Sequence, residues 1–166
     1  MQFNIRPTTK ADSKFIRKFM MEQWGDETIV ARGVVHRPEE LDGFIAEVGR
    51  SRAVGLATYI VREDSCEIVT LNSTLEGEGI GTALVQAVAN AGSNAGCNRL
   101  SCITTNDNFP ALTFYQKRGL RIAAVYPGAV ERARLLKPGI PLYGIESVPI
   151  RDEIELEIQL HPATTE

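Results

Sequence analysis

Positive charge is in short supply in this chain. Eighteen Lys and Arg stand against 21 Asp and Glu, a formal charge of −3 with His neutral, and no long basic run occurs. General nucleic-acid binding rests on neutralising phosphates, so nucleic acid is not an expected partner. Long apolar runs are absent too. None approaches the ~20 residues that a membrane-spanning helix needs, and the start, Met1-Gln2-Phe3-Asn4-Ile5-Arg6-Pro7, has no apolar signal core. Neither a membrane nor export is expected. Cysteine is scarce: Cys66, Cys97 and Cys102 are odd in number and lack metal-ligand spacing, so no disulfide framework and no metal site are expected. Cys66 and Cys102 lie in apolar runs and read as buried thiols, which fits a reducing cytoplasm. Internal repeats and low-complexity segments are also missing. What is left is ordinary globular composition, 166 residues with 43% apolar and 23% charged. That length suits one domain, 1–160, with 161–166 as a frayed tail.

The most informative stretch runs from Cys66 to Ala95. Cys66-Glu67-Ile68-Val69-Thr70-Leu71-Asn72-Ser73 is a short apolar run rich in β-branched residues, which suits a buried strand. Beyond it Ile80, Leu84, Val88 and Ala91 recur at helical spacing. Gly77, Gly79 and Gly81 lie between. A strand that turns through glycines into a helix leaves the first helical N–H groups without partners. Those groups and the positive end of the helix dipole attract phosphate, and the missing side chains let it approach the backbone. The spacing is Gly-x-Gly-x-Gly, so it is not the dinucleotide Gly-x-Gly-x-x-Gly, and no Gly-Lys-Ser/Thr follows. An ordinary tight strand-to-helix turn would give the same residues.

A second motif is Asn108-Phe109-Pro110-Ala111-Leu112-Thr113-Phe114-Tyr115-Gln116-Lys117-Arg118-Gly119-Leu120. Asn108 suits an N-cap, Pro110 is tolerated in a first turn and Gly119 suits a helix end, so 109–118 is predicted as a bounded helix.

Together the two motifs resemble the GNAT superfamily of acyl-CoA-dependent N-acyltransferases, and the resemblance covers most of the chain. The family's loop reads Gln/Arg-x-x-Gly-x-Gly/Ala. Gly79 and Gly81 fall on its glycines, while Glu76 stands where Gln or Arg is usual and Glu78 where a basic residue is often found. The family's second motif, Asn-x-x-Ala-x-x-x-Tyr-x-x-x-Gly-Phe, matches through Asn108, Ala111, Tyr115 and Gly119, with Leu120 for Phe. The resemblance implies a mixed, mostly antiparallel sheet of about seven strands with flanking helices, an α+β fold. It implies acetyl-CoA as co-substrate and a homodimer as a family-level expectation.

Along the chain, Phe3-Asn4-Ile5-Arg6 reads as a strand. Thr9 or Asp12 is placed to cap a helix that carries Phe15, Ile16, Phe19 and Met20 to about Trp24. Gly25 to Pro38 reads as loop with a little helix or strand. Leu41–Val48 and Ala53–Arg62 read as two antiparallel strands. The glycine at 92 ends the long helix in this reading, with loop to Asn98. Strands follow at 99–105 and 120–126. After a short helix within 128–137 the chain reads as extended loop to Pro149, with Pro138, Gly139, Pro141 and Gly144. A connection this long in a compact domain is often functional. In 150–160, Ile154, Leu156, Ile158 and Leu160 alternate with Glu153, Glu155, Glu157 and Gln159, a strand with one buried face.

Transfer from a thioester needs no metal and no enzyme nucleophile. It needs two substrates held together, an oxyanion stabilised and protons moved. By resemblance, the backbone of Leu71, Asn72 and Ser73 pairs with pantetheine. Gly77, Glu78, Gly79, Ile80, Gly81 and Thr82 cradle the pyrophosphate, and Asn108 and Ala111 line the cofactor side. Asn108 as a pure helix cap stays open. Tyr115, whose phenol is protonated at neutral pH with a pKa near ~10, is the general-acid candidate; a merely packed tyrosine is the plainer alternative. Glu67 is the base candidate, against a strand carboxylate facing solvent or paired with an Arg. Arg32, His36, Arg132, Arg134, Lys137, Asp152 and Glu153 are the acceptor-pocket candidates, each set against a surface or structural charge. The acceptor is an amine of a small molecule or a protein. A CoA-binding or scaffolding module without catalysis is the rival function.

Overall fold

The computed structural model describes residues 1–164; residues 165 and 166 of the expected tail lie outside the described part. In chain order the elements are β1 (Phe3–Pro7), α1 (Ser13–Trp24), β2 (Ile29–Ala31), β3 (Val34–His36), β4 (Asp42–Val48), β5 (Arg52–Arg62), β6 (Ser65–Ser73), α2 (Ile80–Asn94), β7 (Arg99–Thr105), α3 (Phe109–Lys117), β8 (Arg121–Tyr126), α4 (Ala129–Leu136) and β9 (Glu153–Gln159). Seven strands follow the order β1-β4-β5-β6-β7-β9-β8, and β2 and β3 form a separate hairpin. The pairs β1/β4, β4/β5, β5/β6 and β8/β9 are antiparallel. The mixed α+β fold expected from the sequence is therefore present.

The chain divides into two compact units. The first comprises Met1–Thr28, Arg37–Leu100 and the chain from Gln159 onward; the second comprises Ile29–His36 and Ser101–Ile158. In the first unit, Ile16, Phe19 and Met20 of α1, Ile45 and Ala46 of β4, and Val54, Leu56 and Ala57 of β5 are buried, as are Ile80, Leu84 and Val88 of α2. The helical spacing read from the sequence thus marks the buried face of α2. That helix runs on past Gly92 to Asn94, where the sequence reading stopped it. Gly92 is there for contact, not termination. A Cβ on it would lie 2.9 Å from the Cys66 Cβ and 3.1 Å from a Leu160 methyl.

The second unit holds its own core of Cys102, Tyr115, Leu120, Ala129, Val130, Ala133, Ile150 and Leu156. Residues 29–36, within the segment read as loop with a little helix or strand, form the β2–β3 hairpin around Arg32-Gly33. One reading changes here. In β9, Leu156 is buried as expected, but Glu153 is buried too, only 4% exposed, while Ile154 and Ile158 are half-buried. The reason for Glu153 is a hydrogen-bond partner: its carboxylate accepts the Arg32 N–H.

The entry to α1 is fixed by charge. Arg6 of β1 donates through both Nη atoms to Asp12, each bond 2.9 Å, and through Nε to Glu47 at 2.8 Å. The Asp12 carboxylate also accepts the Thr9 N–H at 2.8 Å. The Arg6 guanidinium, outweighing partial burial, holds the Asp12 carboxyl down at about 2, against 3.8 for a free one. A depressed folded-state pKa stabilises above the unfolded value and ceases to as pH falls through the folded one. Asp12→Asn is therefore expected to lower the melting temperature at pH 7 by about 2–4 °C, the scale of a partly solvated pair. The deficit should shrink as pH falls from about 4 towards 2. Thermal unfolding of both proteins over that pH range checks this; a pH-independent deficit would assign the effect to helix capping alone.

Candidate functional site

In the first unit, β6 leads through residues 74–79 into α2. The Ser73 hydroxyl donates to the Leu75 carbonyl at 2.8 Å and accepts the Leu75 N–H at 3.2 Å, which turns the chain off the strand. The Thr74 N–H donates to Val54 of β5 at 2.8 Å. Gly77 and Gly79 then take left-handed φ of 74° and 78°, and a Cβ on either would meet nothing within 4 Å. This conformation is costly for other residues and free for glycine. Gly79 is the N-cap of α2, and no side chain caps the helix. Residues 76–79 are exposed. The first turn of a 15-residue helix therefore opens outward through backbone alone. Such an entrance is suited to an anion. The Glu78 carboxylate does not close it: it turns to the Met1 amino nitrogen at 3.3 Å.

The register of β5 against β6 pairs Thr58 with Thr70 and Tyr59 with Ile68, so Val69 has no opposite on β5. That is a β-bulge, which frees backbone groups in the middle of the strand. It is pinned by the buried Thr58 and Thr70 hydroxyls, 2.7 Å apart. Leu71, Asn72 and Ser73 follow the bulge and stay half-buried, and the Asn72 Oδ1 is buried with no partner. Glu67 lies before the bulge. Its Oε2 accepts a 2.9 Å bond from Arg62, so the carboxylate sits in an ion pair.

In the second unit, Asn108 caps α3 by accepting the Ala111 N–H at 3.2 Å. The cap consumes the amide oxygen of Asn108 and leaves its NH2 group as donor. Tyr115 lies about two turns on, 7% exposed and edge-on to Phe114 with ring centroids 5.2 Å apart. Burial raises its phenol well above 10, and the neighbouring Cys102 thiol adds to that. The phenol stays protonated at any working pH. Among the described residues no cluster of His, Cys, Asp and Glu could hold a metal ion.

The residues just before α3 carry a role that sequence alone does not reveal. The Asn106 Oδ1 accepts the Arg151 and Asp152 N–H groups, both at 3.0 Å, and its NH2 donates to the Pro149 carbonyl at 2.8 Å. Asp107, 6% exposed, accepts the Ile145 N–H at 3.2 Å. A Cβ on Gly144 would run into the Asp107 carboxylate. The connection at 127–149, read as extended loop beyond its helix, is instead folded. It contains a 3-10 turn, Ile145–Ser147, and a bridge between Tyr143 and Pro149.

The acceptor-pocket candidates separate accordingly. Arg134 donates to the carbonyls of Ile140, Pro141 and Ile150 at 3.2, 2.6 and 2.8 Å, and Asp152 accepts the Gly128 N–H at 2.8 Å, so both hold the connection together. Arg132 reaches the Pro127 carbonyl at 3.3 Å, and His36 is buried. Arg32 and Glu153 meet at the hairpin. A separate open groove of about 530 Å³ on α3, lined by Phe109, Pro110, Thr113, Phe114, Lys117, Arg118, Ile145 and Glu146, includes none of the candidate catalytic, cofactor or acceptor residues.

Known proteins match this arrangement. The model of the acetyltransferase (GNAT) family matches residues 9–120. An uncharacterized protein of Bacillus subtilis, YxbD, is 41% identical over 157 residues, 95% of this chain and 99% of its own length. Among solved structures, an IAA acetyltransferase from Bacillus cereus superposes with a TM-score of 0.70 at 18% identity, covering 96% of this chain and all of its own. A GNAT family acetyltransferase from Elizabethkingia anophelis, with acetyl-CoA bound, superposes with a TM-score of 0.68 at 18% identity, covering 95% of this chain and 98% of its own. Both motifs, at 79–81 and 108–120, fall inside the matched region, and the chain belongs to the GNAT acetyltransferase family.

Proposed function

We propose that the protein is an N-acetyltransferase that moves an acetyl group from acetyl-CoA to a primary amine of a small molecule or protein, by direct attack in a ternary complex. The observation that carries this reading is the exposed, uncapped backbone entrance to α2 at Gly77–Gly79, at the position of the family's pyrophosphate loop. The acetyl-CoA bound by the Elizabethkingia relative supports the same cofactor.

In this reading the N–H groups of Gly77, Glu78, Gly79, Ile80, Gly81 and Thr82 receive the pyrophosphate. The backbone of Leu71, Asn72 and Ser73, released by the bulge at Val69, pairs with the pantetheine arm. Asn108 offers its remaining NH2 donor. Ala111, whose N–H is already taken, offers a small side chain that lets the cofactor approach. The amine nitrogen forms a bond to the thioester carbonyl carbon, and the C–S bond breaks. A backbone N–H of β6 steadies the oxyanion between those events. Glu67 takes a proton from the entering ammonium, directly or through water; Arg62 occupies its Oε2 and leaves Oε1 to accept. Tyr115 donates to the departing sulfur.

A second reading, cofactor binding without transfer, is favoured by one observation: the Glu67 carboxylate is already held in an ion pair with Arg62.

The deciding measurement is thermal unfolding with acetyl-CoA, CoA and NADP. A ligand at ~100 times its dissociation constant adds ~2.7 kcal/mol, and at roughly 2–4 °C per kcal/mol the melting temperature should rise by several degrees with acetyl-CoA and not with NADP. No rise with either CoA species would remove the cofactor assignment. Gly79→Asp places a carboxylate and a Cβ at the phosphate entrance, at φ 78°. It should abolish the acetyl-CoA shift while the far-UV spectrum is kept; an unchanged affinity would sink the loop assignment. Tyr115→Phe should cut turnover by ~10²-fold or more with acetyl-CoA affinity little changed. A fully active variant rules out Tyr115 as the acid, and a wild type that binds but acetylates no amine establishes the second reading.

A further inference from the structure

Arg32 is held by more of the structure than a hairpin tip requires. The Arg32-Gly33 turn puts Arg32 at φ 50°, a left-handed backbone that Asn, Asp or Gly adopts easily and an arginine does not. Its N–H donates to both carboxylate oxygens of Glu153, at 3.2 and 3.3 Å, and Glu153 is almost wholly buried. Its guanidinium lies over the Tyr126 ring, with Cζ 3.2 Å from the centroid. The ring is fixed in turn: Tyr126 stands opposite Glu153 in the β8–β9 register, and its hydroxyl donates to Glu155 at 3.1 Å.

Backbone and side chain are thus both pinned, yet the guanidinium N–H groups make no hydrogen bond or ion pair among the described residues. One face of the guanidinium is covered by an aromatic ring, and its edges carry a planar fork of donors. That geometry matches the two oxygens of a carboxylate, and the stack spares the entropy of ordering the side chain. Glu153 and Glu155 lie nearby, and they repel a singly charged carboxylate less than a phosphate dianion, which favours the carboxylate. The position is tied to the second motif. Asp152, next to Glu153, bonds through its N–H to Asn106, two residues before the cap of α3.

We propose that Arg32 is a specificity residue that selects an acceptor amine bearing a carboxylate. The proposal rests on the acetyltransferase reading for the amine, and on the hairpin geometry for the carboxylate.

The test uses matched primary amines with and without the carboxylate: 4-aminobutyrate and 6-aminohexanoate against their amides, and amino acids against amino-acid amides. Acetyl transfer at saturating acetyl-CoA gives KM for each, and thermal shift gives binding without turnover. The acid of at least one pair should show a KM about tenfold or more below its amide, the size of a charged hydrogen-bonded pair. Arg32→Gln should bring that ratio close to one, and Arg32→Lys, which keeps the charge without the fork, should restore part of it. Equal use of acids and amides, or a ratio that survives in Arg32→Gln, overturns the proposal. If no amine is acetylated but the acids stabilise the wild type and not Arg32→Gln, the Arg32 site stands and the transferase reading falls. If the acids neither react nor stabilise, the Arg32 proposal is overturned as well.

Discussion

The first unit depends on how closely α2 sits on the sheet. Gly55 in β5 and Gly92 in α2 make the approach possible from opposite sides. A Cβ on Gly55 would lie 2.9 Å from an Ile80 methyl and 3.1 Å from a Leu84 methyl. A Cβ on Gly92 would press on Cys66 as closely. Interiors are close-packed, so added volume at such contacts displaces the element rather than being absorbed. Gly55 meets the start of α2 at Ile80 and Leu84, and Gly92 sits in its last turn against Cys66 and Leu160. Together they fix the helix along its length and set where its N-terminus emerges. The open loop at 76–79 can be bare of side chains and still be definite in position because Ile80, immediately after it, is 1% exposed and clamped over Gly55.

The second unit is held differently. Its apolar core is small, and the 127–149 connection is organised by polar side chains reaching backbone groups. Asn106, Asp107, Arg134 and Asp152 satisfy N–H and C=O groups that no helix or strand would otherwise pair. Backbone hydrogen-bonding groups taken out of water must find partners, and here side chains supply them where the chain is irregular. This leaves Leu142, Tyr143 and Ile145 exposed on a connection that is nonetheless folded.

Those two modes explain what was legible in advance. The strands of the first unit and the helix 80–94 declare themselves through local periodicity, since Ile80, Leu84 and Val88 mark the buried face wherever the helix sits. Gly79, Asn108 and Tyr115 declare themselves through motif spacing. Gly92 misleads because a glycine that ends a helix and one that permits contact look alike until the partner, Cys66 or Leu160, is placed. The alternation of 150–160 misleads for a related reason. It ranks residues by polarity, whereas burial of Glu153 is settled by the Arg32 N–H, 121 residues away. The β2–β3 hairpin has strands of three residues and an Arg-Gly tip in place of the usual Asn-Gly, so neither period nor turn chemistry reveals it. The anchoring by Asn106 and Asp107 is invisible for the same cause: their partners lie at 145–152, and nothing local requires them.

In the proposed transfer, the environment of Tyr115 constrains the chemistry more than its identity does. Burial and Cys102 raise its phenol well above 10. A thiol leaving group has a pKa near ~8.5, below that of the phenol, so complete transfer of the phenolic proton to a free thiolate runs uphill. Full transfer is not what the transition state asks for. A buried O–H aimed at a sulfur that is gaining charge stabilises that charge most where water is excluded, and it costs no reorganisation at the moment of reaction. The proton that balances the reaction is already present on the amine nitrogen, which becomes strongly acidic once bonded to the carbonyl carbon. In the proposed acetyltransferase reading, Tyr115 would share its proton with the sulfur as the C–S bond breaks and hold it fully again once the nitrogen has lost one. Such a role needs a group that never ionises between turnovers, and a buried phenol of raised pKa meets that requirement.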